Sequence, residues 1–100
     1  MTAFRADIPP HVAAVIRHLP PDLKRGVKEA IRALCGNPAI GIPLLRDLEG
    51  LWKYRVRRYR IVYGVDRARR ILRIVAVGHR RSIYEDAAAR VSRPGATGDE

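Results

Sequence analysis

The chain has 100 residues, of which 20 are Lys or Arg and 10 are Asp or Glu, so its formal net charge at pH 7 is +10. Its hydrophobic fraction of 47 % excludes a globally disordered chain, and its length argues for one domain with a single core. A single cysteine excludes a disulfide framework within the chain, and no apolar run reaches the ~20 residues of a membrane span. We therefore expect a cytoplasmic protein without membrane contact. The charge favours a polyanionic partner, since seventeen of the basic residues are arginines, which bind phosphate bidentately.

The N-terminal half predicts two helices. Residues 2–7 predict a short edge strand, and Pro9–Pro10 suits the first turn of a helix over 10–18. Pro20 ends that helix, and a second helix begins at Pro21 and ends at Gly36–Asn37–Pro38. The second helix carries one apolar stripe: Leu23, Val27, Ile31 and Leu34. Residues 37–43 predict a loop.

From Leu51 the hydrophobic period changes from 3.6 to 2, which is typical of strands. We predict a strand from 51, a second strand over 58–65, a turn over 66–69 and a third strand over 70–78. The third strand is nearly all apolar and is expected to be covered on both faces. A last helix is predicted from Ser82, and residues 93–100 predict a frayed tail. The prediction is an α+β domain over 1–92.

Basic residues concentrate on these strands. Trp52, Tyr54 and Val56 alternate with basic residues two positions apart, so we expect an apolar face under the helices and a cationic face open to solvent. A solvated strand face that uses arginine is the alternative interpretation. Asp66 is the one acidic residue between 53 and 81, where the basic residues are Lys53, Arg55, Arg57, Arg58, Arg60, Arg67, Arg69, Arg70, Arg73, Arg80 and Arg81.

The chemistry open to such a face is RNA cleavage, because RNA carries its own nucleophile in the ribose 2′-hydroxyl. Arginines hold a phosphate but stay protonated, so Lys53, crowded by arginines, is the candidate base. His79 is a candidate acid or base, or else a strand-end histidine with a structural hydrogen bond. We predict no metal, because His11, His18 and Cys35 have no ligand spacing and the patch holds no carboxylate pair.

Three strings in this order resemble the RelE/ParE superfamily of toxins from type II toxin–antitoxin modules. The first runs from Asn37–Pro38 through Pro43–Leu44 to the segment 47–56. The second is YRIVY at 59–63, and the third is VGHRRSIY at 77–84. Each is weak alone, but together they are specific, and the similarity covers roughly residues 22–91. The resemblance implies two N-terminal helices packed on a twisted antiparallel sheet, with a C-terminal helix.

The resemblance also implies an activity. RelE-like toxins are endoribonucleases that cleave mRNA in the ribosomal A site by 2′-hydroxyl attack, without metal or cofactor. Carried over by motif, the catalytic set is Lys53, Arg55, Arg60, Arg80 and Tyr84, with His79 as a proton-transfer candidate and Arg57, Arg58, Arg73 and Arg81 as RNA-binding residues. Tyr84 would stack on a base, or else pack into the core. Arg55 stands where the founding member has lysine, which leaves Lys53 with fewer substitutes as the base.

The resemblance further implies partners: mRNA on the ribosome, with ribosomal RNA contacts, and a cognate acidic RelB-like antitoxin in a hetero-oligomer. Two other functions share the fold. A ParE-like toxin inhibits DNA gyrase by binding and is not a nuclease, and a degenerate toxin only binds its antitoxin or RNA. Retention of the basic set together with Tyr84 favours the nuclease.

Overall fold

The structure, a computed structural model, describes residues 3–45 and 48–79. In chain order the elements are β1 (Arg5–Asp7), α1 (Pro10–Arg17), α2 (Pro21–Gly36), a 3-10 turn (Pro38–Ile40), β2 (Ile42–Pro43), β3 (Leu51–Val56), β4 (Tyr59–Asp66) and β5 (Ile71–His79). Over these ranges no helix has the length and apolar character needed to cross a bilayer.

Both predicted helices are confirmed, and prolines set where they begin. Pro10 and Pro21 each stand at the first helical position, where a missing N–H leaves no hydrogen bond unmade. The apolar stripe of α2 faces inward, with Val27 and Leu34 completely buried. The helix ends at Gly36, and Asn37 then caps the 3-10 turn by accepting a hydrogen bond from the Ala39 N–H at 3.2 Å.

The five strands form one sheet in the order β1-β5-β4-β3-β2. The predicted α+β fold with two helices on a sheet is confirmed, and the sheet, predicted to be antiparallel, is mixed because β1 pairs with β5 in parallel. Both helices and strands β2, β3 and β4 lie between β1 and β5 in the chain, which gives the long connection that a parallel pairing requires. The remaining pairings are antiparallel, and β1 begins at Arg5, later than the predicted residue 2.

The predicted division of β3 and β4 by parity is confirmed on the helix side. Trp52, Tyr54 and Val56 pack against the core that the two helices share with the sheet. Ile61 and Tyr63 of β4 lie fully buried in the same core, and the rings of Trp52 and Tyr63 are stacked with centroids 6.4 Å apart. The helix layer therefore covers one face of the sheet.

A β-bulge interrupts the ladder between β4 and β5. Val62 pairs with Ala76, but Tyr63 pairs with Ile74, so Val75 is an extra residue without a partner on β4. The His11 Nε2 atom lies 3.1 Å from the Val75 carbonyl oxygen, so a side chain from α1 hydrogen-bonds to the bulge.

The opposite face of the sheet is not the open cationic surface that the sequence predicted. At its centre Val62 and Ala76 are buried to 0 % and 1 % exposure, and Leu51 lies beside them. Leu44 and Leu48 from the β2–β3 connection pack against this second cluster. The face is therefore apolar in the middle, which gives β5 the cover on both sides expected for it, and the charged side chains lie around this centre, with Lys53 directly beside Val62.

The predicted C-terminal helix and the tail 93–100 lie outside the described residues, as do Arg80, Arg81 and Tyr84. The described part of the chain ends with the last residue of β5.

Candidate nucleic-acid interface

The β3–β4 hairpin brings three cations onto one face of the sheet. Arg55 pairs directly with Arg60 across the hairpin, and Lys53 is two residues before Arg55 on the same face. Side chains at directly opposite positions have Cβ atoms about 4.5–5.5 Å apart, and like charges there destabilise a sheet. Folding stability therefore does not explain this Arg55–Arg60 pair, whereas an anionic ligand would neutralise it.

A tight two-residue turn shapes the end of the hairpin. Arg57 adopts a left-handed backbone with φ of 55°, which a two-residue hairpin of this kind requires. The Arg55 Nε–H donates a hydrogen bond of 2.9 Å to the Arg57 carbonyl oxygen, which orients the Arg55 guanidinium. Arg58 is exposed beside it. The turn consists of Arg57 and Arg58, so it adds two cations to the same end of the sheet, and β4 begins one residue later than the predicted 58.

Two adjoining hollows meet at this cluster, and Arg55 and Arg60 line both of them. The first, with a volume of about 370 Å³, also contacts Lys53 and the segment 40–42. The second, of about 620 Å³, is completed by Arg58 and His79. We call the five residues Lys53, Arg55, Arg58, Arg60 and His79 the hairpin cluster.

His79 reaches the hairpin cluster from the end of β5. It pairs with Tyr59, and the two rings are in contact with centroids 4.6 Å apart and planes tilted by 59°. Its neighbour Gly78 pairs with Arg60, so β5 places no side chain over that arginine. By this register the His79 side chain projects with Tyr59 towards the helix side of the sheet, and at the end of the sheet it also lines the second hollow.

The structure does not bring Arg73 into the hairpin cluster. Arg73 pairs with Gly64, four residues from Arg60 along β4 and thus about 13 Å away. Its guanidinium lies over the glycine, with a nitrogen 3.0 Å from where a Cβ of Gly64 would be. The buried Val62 lies between Arg60 and Gly64, so the basic residues predicted to share one cationic face form two groups.

The remaining arginines of the strands belong to the end of the sheet opposite to the hairpin cluster. They lie in the β4–β5 turn, where the Asp66 carboxylate accepts a hydrogen bond of 3.1 Å from the Arg69 backbone N–H. Arg70 closes this turn with φ of 57°. This is a turn conformation, and it leaves the guanidinium groups of Arg67, Arg69 and Arg70 exposed at the surface.

A buried tyrosine anchors the segment that borders Lys53. The Tyr63 hydroxyl donates a hydrogen bond of 2.6 Å to the Pro38 carbonyl oxygen. Burial raises the pKa of Tyr63 to about 12, against a smaller lowering by a hydrogen bond from the Gly41 backbone. A Cβ on Gly41 would lie 2.7 Å from the Lys53 carbonyl oxygen, so only glycine fits there. In the sequence, the Gly and Pro content of the loop is the one signal of this packing.

Other groups with reactive side chains are used structurally. Cys35 is half-buried in α2, and burial raises the pKa of its thiol, which disfavours the nucleophilic thiolate. The His18 Nδ1 atom lies 2.8 Å from the Ala14 carbonyl oxygen within its own helix. Over residues 3–45 and 48–79, no three His, Cys, Asp or Glu side chains come together as a metal-ligand group would.

Comparison with known proteins agrees with this fold and its basic hairpin. Residues 7–84 match the family described as the ParE toxin of the type II toxin–antitoxin system parDE. The chain belongs to this family, within the RelE/ParE superfamily, and is a toxin of a type II toxin–antitoxin system. No curated protein matches it.

Solved structures are similar over most of the chain. The toxin–antitoxin complex RelBE2 from Mycobacterium tuberculosis matches with 28 % identity and a TM-score of 0.72, covering 80 % of this chain and 94 % of that one. A double mutant of E. coli RelE in the free state shares the fold at 23 % identity and a TM-score of 0.74, covering 91 % and 99 %. The YoeB/ParE toxin from Agrobacterium tumefaciens does so at 18 % identity and a TM-score of 0.68, covering 77 % and 99 %.

Proposed function

We propose that this toxin is a ribosome-dependent endoribonuclease that cleaves mRNA by attack of a ribose 2′-hydroxyl, without metal. One observation carries the proposal: the direct pairing of Arg55 with Arg60, with Lys53 on the same face. Three cations at strand spacing form a site for a phosphodiester and the ribose beside it. Among the described residues the arginine–carboxylate pair is Asp22 with Arg25 on α2, so no described carboxylate pairs with Arg55 or Arg60.

The reaction needs four contributions. Arg55 and Arg60 hold the scissile phosphate and stabilise the charge that builds up on its oxygens. Lys53 in its neutral form accepts the 2′-hydroxyl proton, and the 2′-oxygen then bonds to phosphorus to give a 2′,3′-cyclic phosphate. The bond from phosphorus to the 5′-oxygen breaks, and that oxygen takes up a proton. We assign this proton to His79, which lines the second hollow, with help from Arg80.

The partners follow from the charge and from the relatives. The M. tuberculosis structure is a toxin–antitoxin complex, and the net charge of +10 suits an acidic antitoxin that covers the basic face. We propose a RelB-like antitoxin in a hetero-oligomer, mRNA and ribosomal RNA as the nucleic-acid partners, and the cytoplasm as the place of action. Arg57, Arg73 and Arg81 are proposed as RNA contacts outside the reaction itself, and Tyr84 as a stacking residue.

Inhibition of DNA gyrase is the second candidate, because the matching family is that of the ParE toxin. A gyrase inhibitor acts by binding, so it does not need Lys53 and the two paired arginines arranged about one phosphate. The hairpin cluster supports the nuclease as the first choice.

The test is mRNA cleavage on programmed ribosomes, read as new RNA ends by primer extension. We expect the wild type to cut, and Arg60→Ala and Arg80→Ala each to lose at least about 100-fold in rate, the usual effect of removing a charge-stabilising donor. The matched control is Arg32→Ala, which removes an exposed arginine from α2 on the helix layer. A supercoiling assay runs beside it: gyrase inhibition without RNA cleavage would replace the nuclease with the second candidate.

A further inference from the structure

Two exposed isoleucines border the hairpin cluster. Among the described residues the exposed large hydrophobic side chains are Ile8, Val15, Ile40, Ile42 and Leu45, and two of these flank Gly41. Ile40 is 43 % exposed and Ile42 is 59 % exposed, and both line the first hollow together with Lys53, Arg55 and Arg60. We call Ile40 and Ile42 the isoleucine ledge.

The sheet register places the isoleucine ledge beside the candidate base. Ile42 pairs directly with Lys53 in the antiparallel β2–β3 ladder, and paired residues project from the same face with Cβ atoms about 4.5–5.5 Å apart. The ledge thus adjoins the cations on the face proposed to hold the phosphate. An apolar surface next to a phosphate site is complementary to a nucleotide, in which a flat base is joined through ribose to a phosphate.

The ledge is held in place before any ligand binds. The Tyr63 hydroxyl donates a hydrogen bond to the Pro38 carbonyl oxygen, and Asn37 caps the turn that ends at Ile40. Because Gly41 has no side chain, the segment lies directly against the β3 backbone. A rigid apolar surface loses little entropy on binding, which favours contact with a flat ring.

We propose that the isoleucine ledge is a nucleobase subsite, on which a base of the RNA packs while an adjacent phosphate lies on Arg55 and Arg60. This inference rests on the proposed function for its ligand, single-stranded RNA. The hollow of about 370 Å³ falls within the ~300–1,000 Å³ of ligand pockets, so it accommodates one base with its ribose. The isoleucine side chains form no hydrogen bonds with the edge of a base, so the ledge accepts any base and favours the larger face of a purine.

The experiment is methyl NMR of the isotope-labelled full chain, titrated with a three-nucleotide RNA whose 2′-O-methyl groups prevent cleavage. The control ligand is the same RNA strand with every base removed. We expect the Ile42 methyl signal to move upfield with the base-bearing RNA, through the ring current, and to stay in place with the abasic strand. Ile8 is the internal control, because it is 38 % exposed and does not line this hollow.

Two variants add a binding readout. Ile42→Ala should weaken the base-bearing strand about fivefold to tenfold and leave the abasic strand unchanged, because only packing is removed. Ile42→Phe should retain or tighten base-dependent binding, which separates loss of packing from loss of folding. Ile8→Ala is the matched control and should change neither ligand.

Equal losses for both strands, equal methyl shifts for both strands or no shift at Ile42 with either would overturn the subsite. The ribosome assay keeps the two proposals apart. If the Ile42 signal shifts only with the base-bearing strand and the protein does not cleave mRNA, the nuclease proposal is refuted and the subsite proposal stands. If the protein cleaves mRNA but the Ile42 signal does not depend on the base, the subsite proposal is refuted and the nuclease proposal stands.

Discussion

Replacing Tyr63 with phenylalanine tests whether the buried phenol holds the segment beside Lys53. The ring stays stacked on Trp52, so the change removes one oxygen and leaves the Pro38 carbonyl without its donor and the Gly41 N–H without its acceptor. An unsatisfied buried polar group costs about 1–3 kcal/mol, and we expect a loss of about 2 kcal/mol in the free energy of unfolding. For a domain of this size that loss lowers the melting temperature by roughly 8–16 °C.

The assay is urea unfolding followed by the fluorescence of Trp52, the only tryptophan. The slope against urea should stay constant, since the surface exposed on unfolding is unchanged. Tyr59→Phe is the matched control: Tyr59 is half-buried on the same strand, and the described residues provide no hydrogen bond to its hydroxyl. We expect less than about 0.5 kcal/mol for it, as for most substitutions away from a special contact. Equal losses for the two variants would refute the reasoning.

Three further predictions follow from the same contacts. Because the folded pKa of Tyr63 is about 12, above the ordinary value near 10, its contribution to stability is complete below about pH 10 and is lost as the pH rises towards 12; Tyr63→Phe should flatten that part of a pH–stability curve. Gly41→Ala should cost about 1–3 kcal/mol through overpacking against the β3 carbonyl, whereas Gly36→Ala, with no atom within 4 Å of its new Cβ, should be close to neutral in the same melts. Arg60→Ala should lower the salt dependence of RNA binding by about 0.7 in log–log slope, measured by anisotropy at four salt concentrations, and Arg32→Ala should leave it unchanged.

The sequence predicted the elements well where its patterns were simple. Prolines 10 and 21 mark both helix starts, and the alternation from Trp52 to Val56 gave the buried side of β3. The hairpin register then follows from the two-residue turn, so the opposition of two arginines is implicit in the sequence.

Other features could not be read from local patterns. β5 is a run of apolar residues, so no alternation records the extra residue at Val75. The parallel pairing of β1 with β5 joins segments about 66 residues apart in the chain, so it is a tertiary property. The apolar centre of the cationic face depends on Leu44 and Leu48 folding back over Val62, a contact between segments distant in sequence. For this reason the positions of the basic residues in the sequence predicted one continuous cationic face.

The bulge at Val75 decides which residue of β5 stands over the cations. In an unbroken ladder continued from the Tyr63–Ile74 pair, Val77 would oppose Arg60, and its branched side chain would project onto the cationic face. The one inserted residue instead turns Val77 into the core and brings Gly78, which has no side chain, opposite Arg60. The space beside the Arg60 side chain thus exists because the β-bulge adds one residue to β5. Deletion of Val75 would bring the Val77 side chain into that space, although every charged residue of the hairpin cluster would still be present.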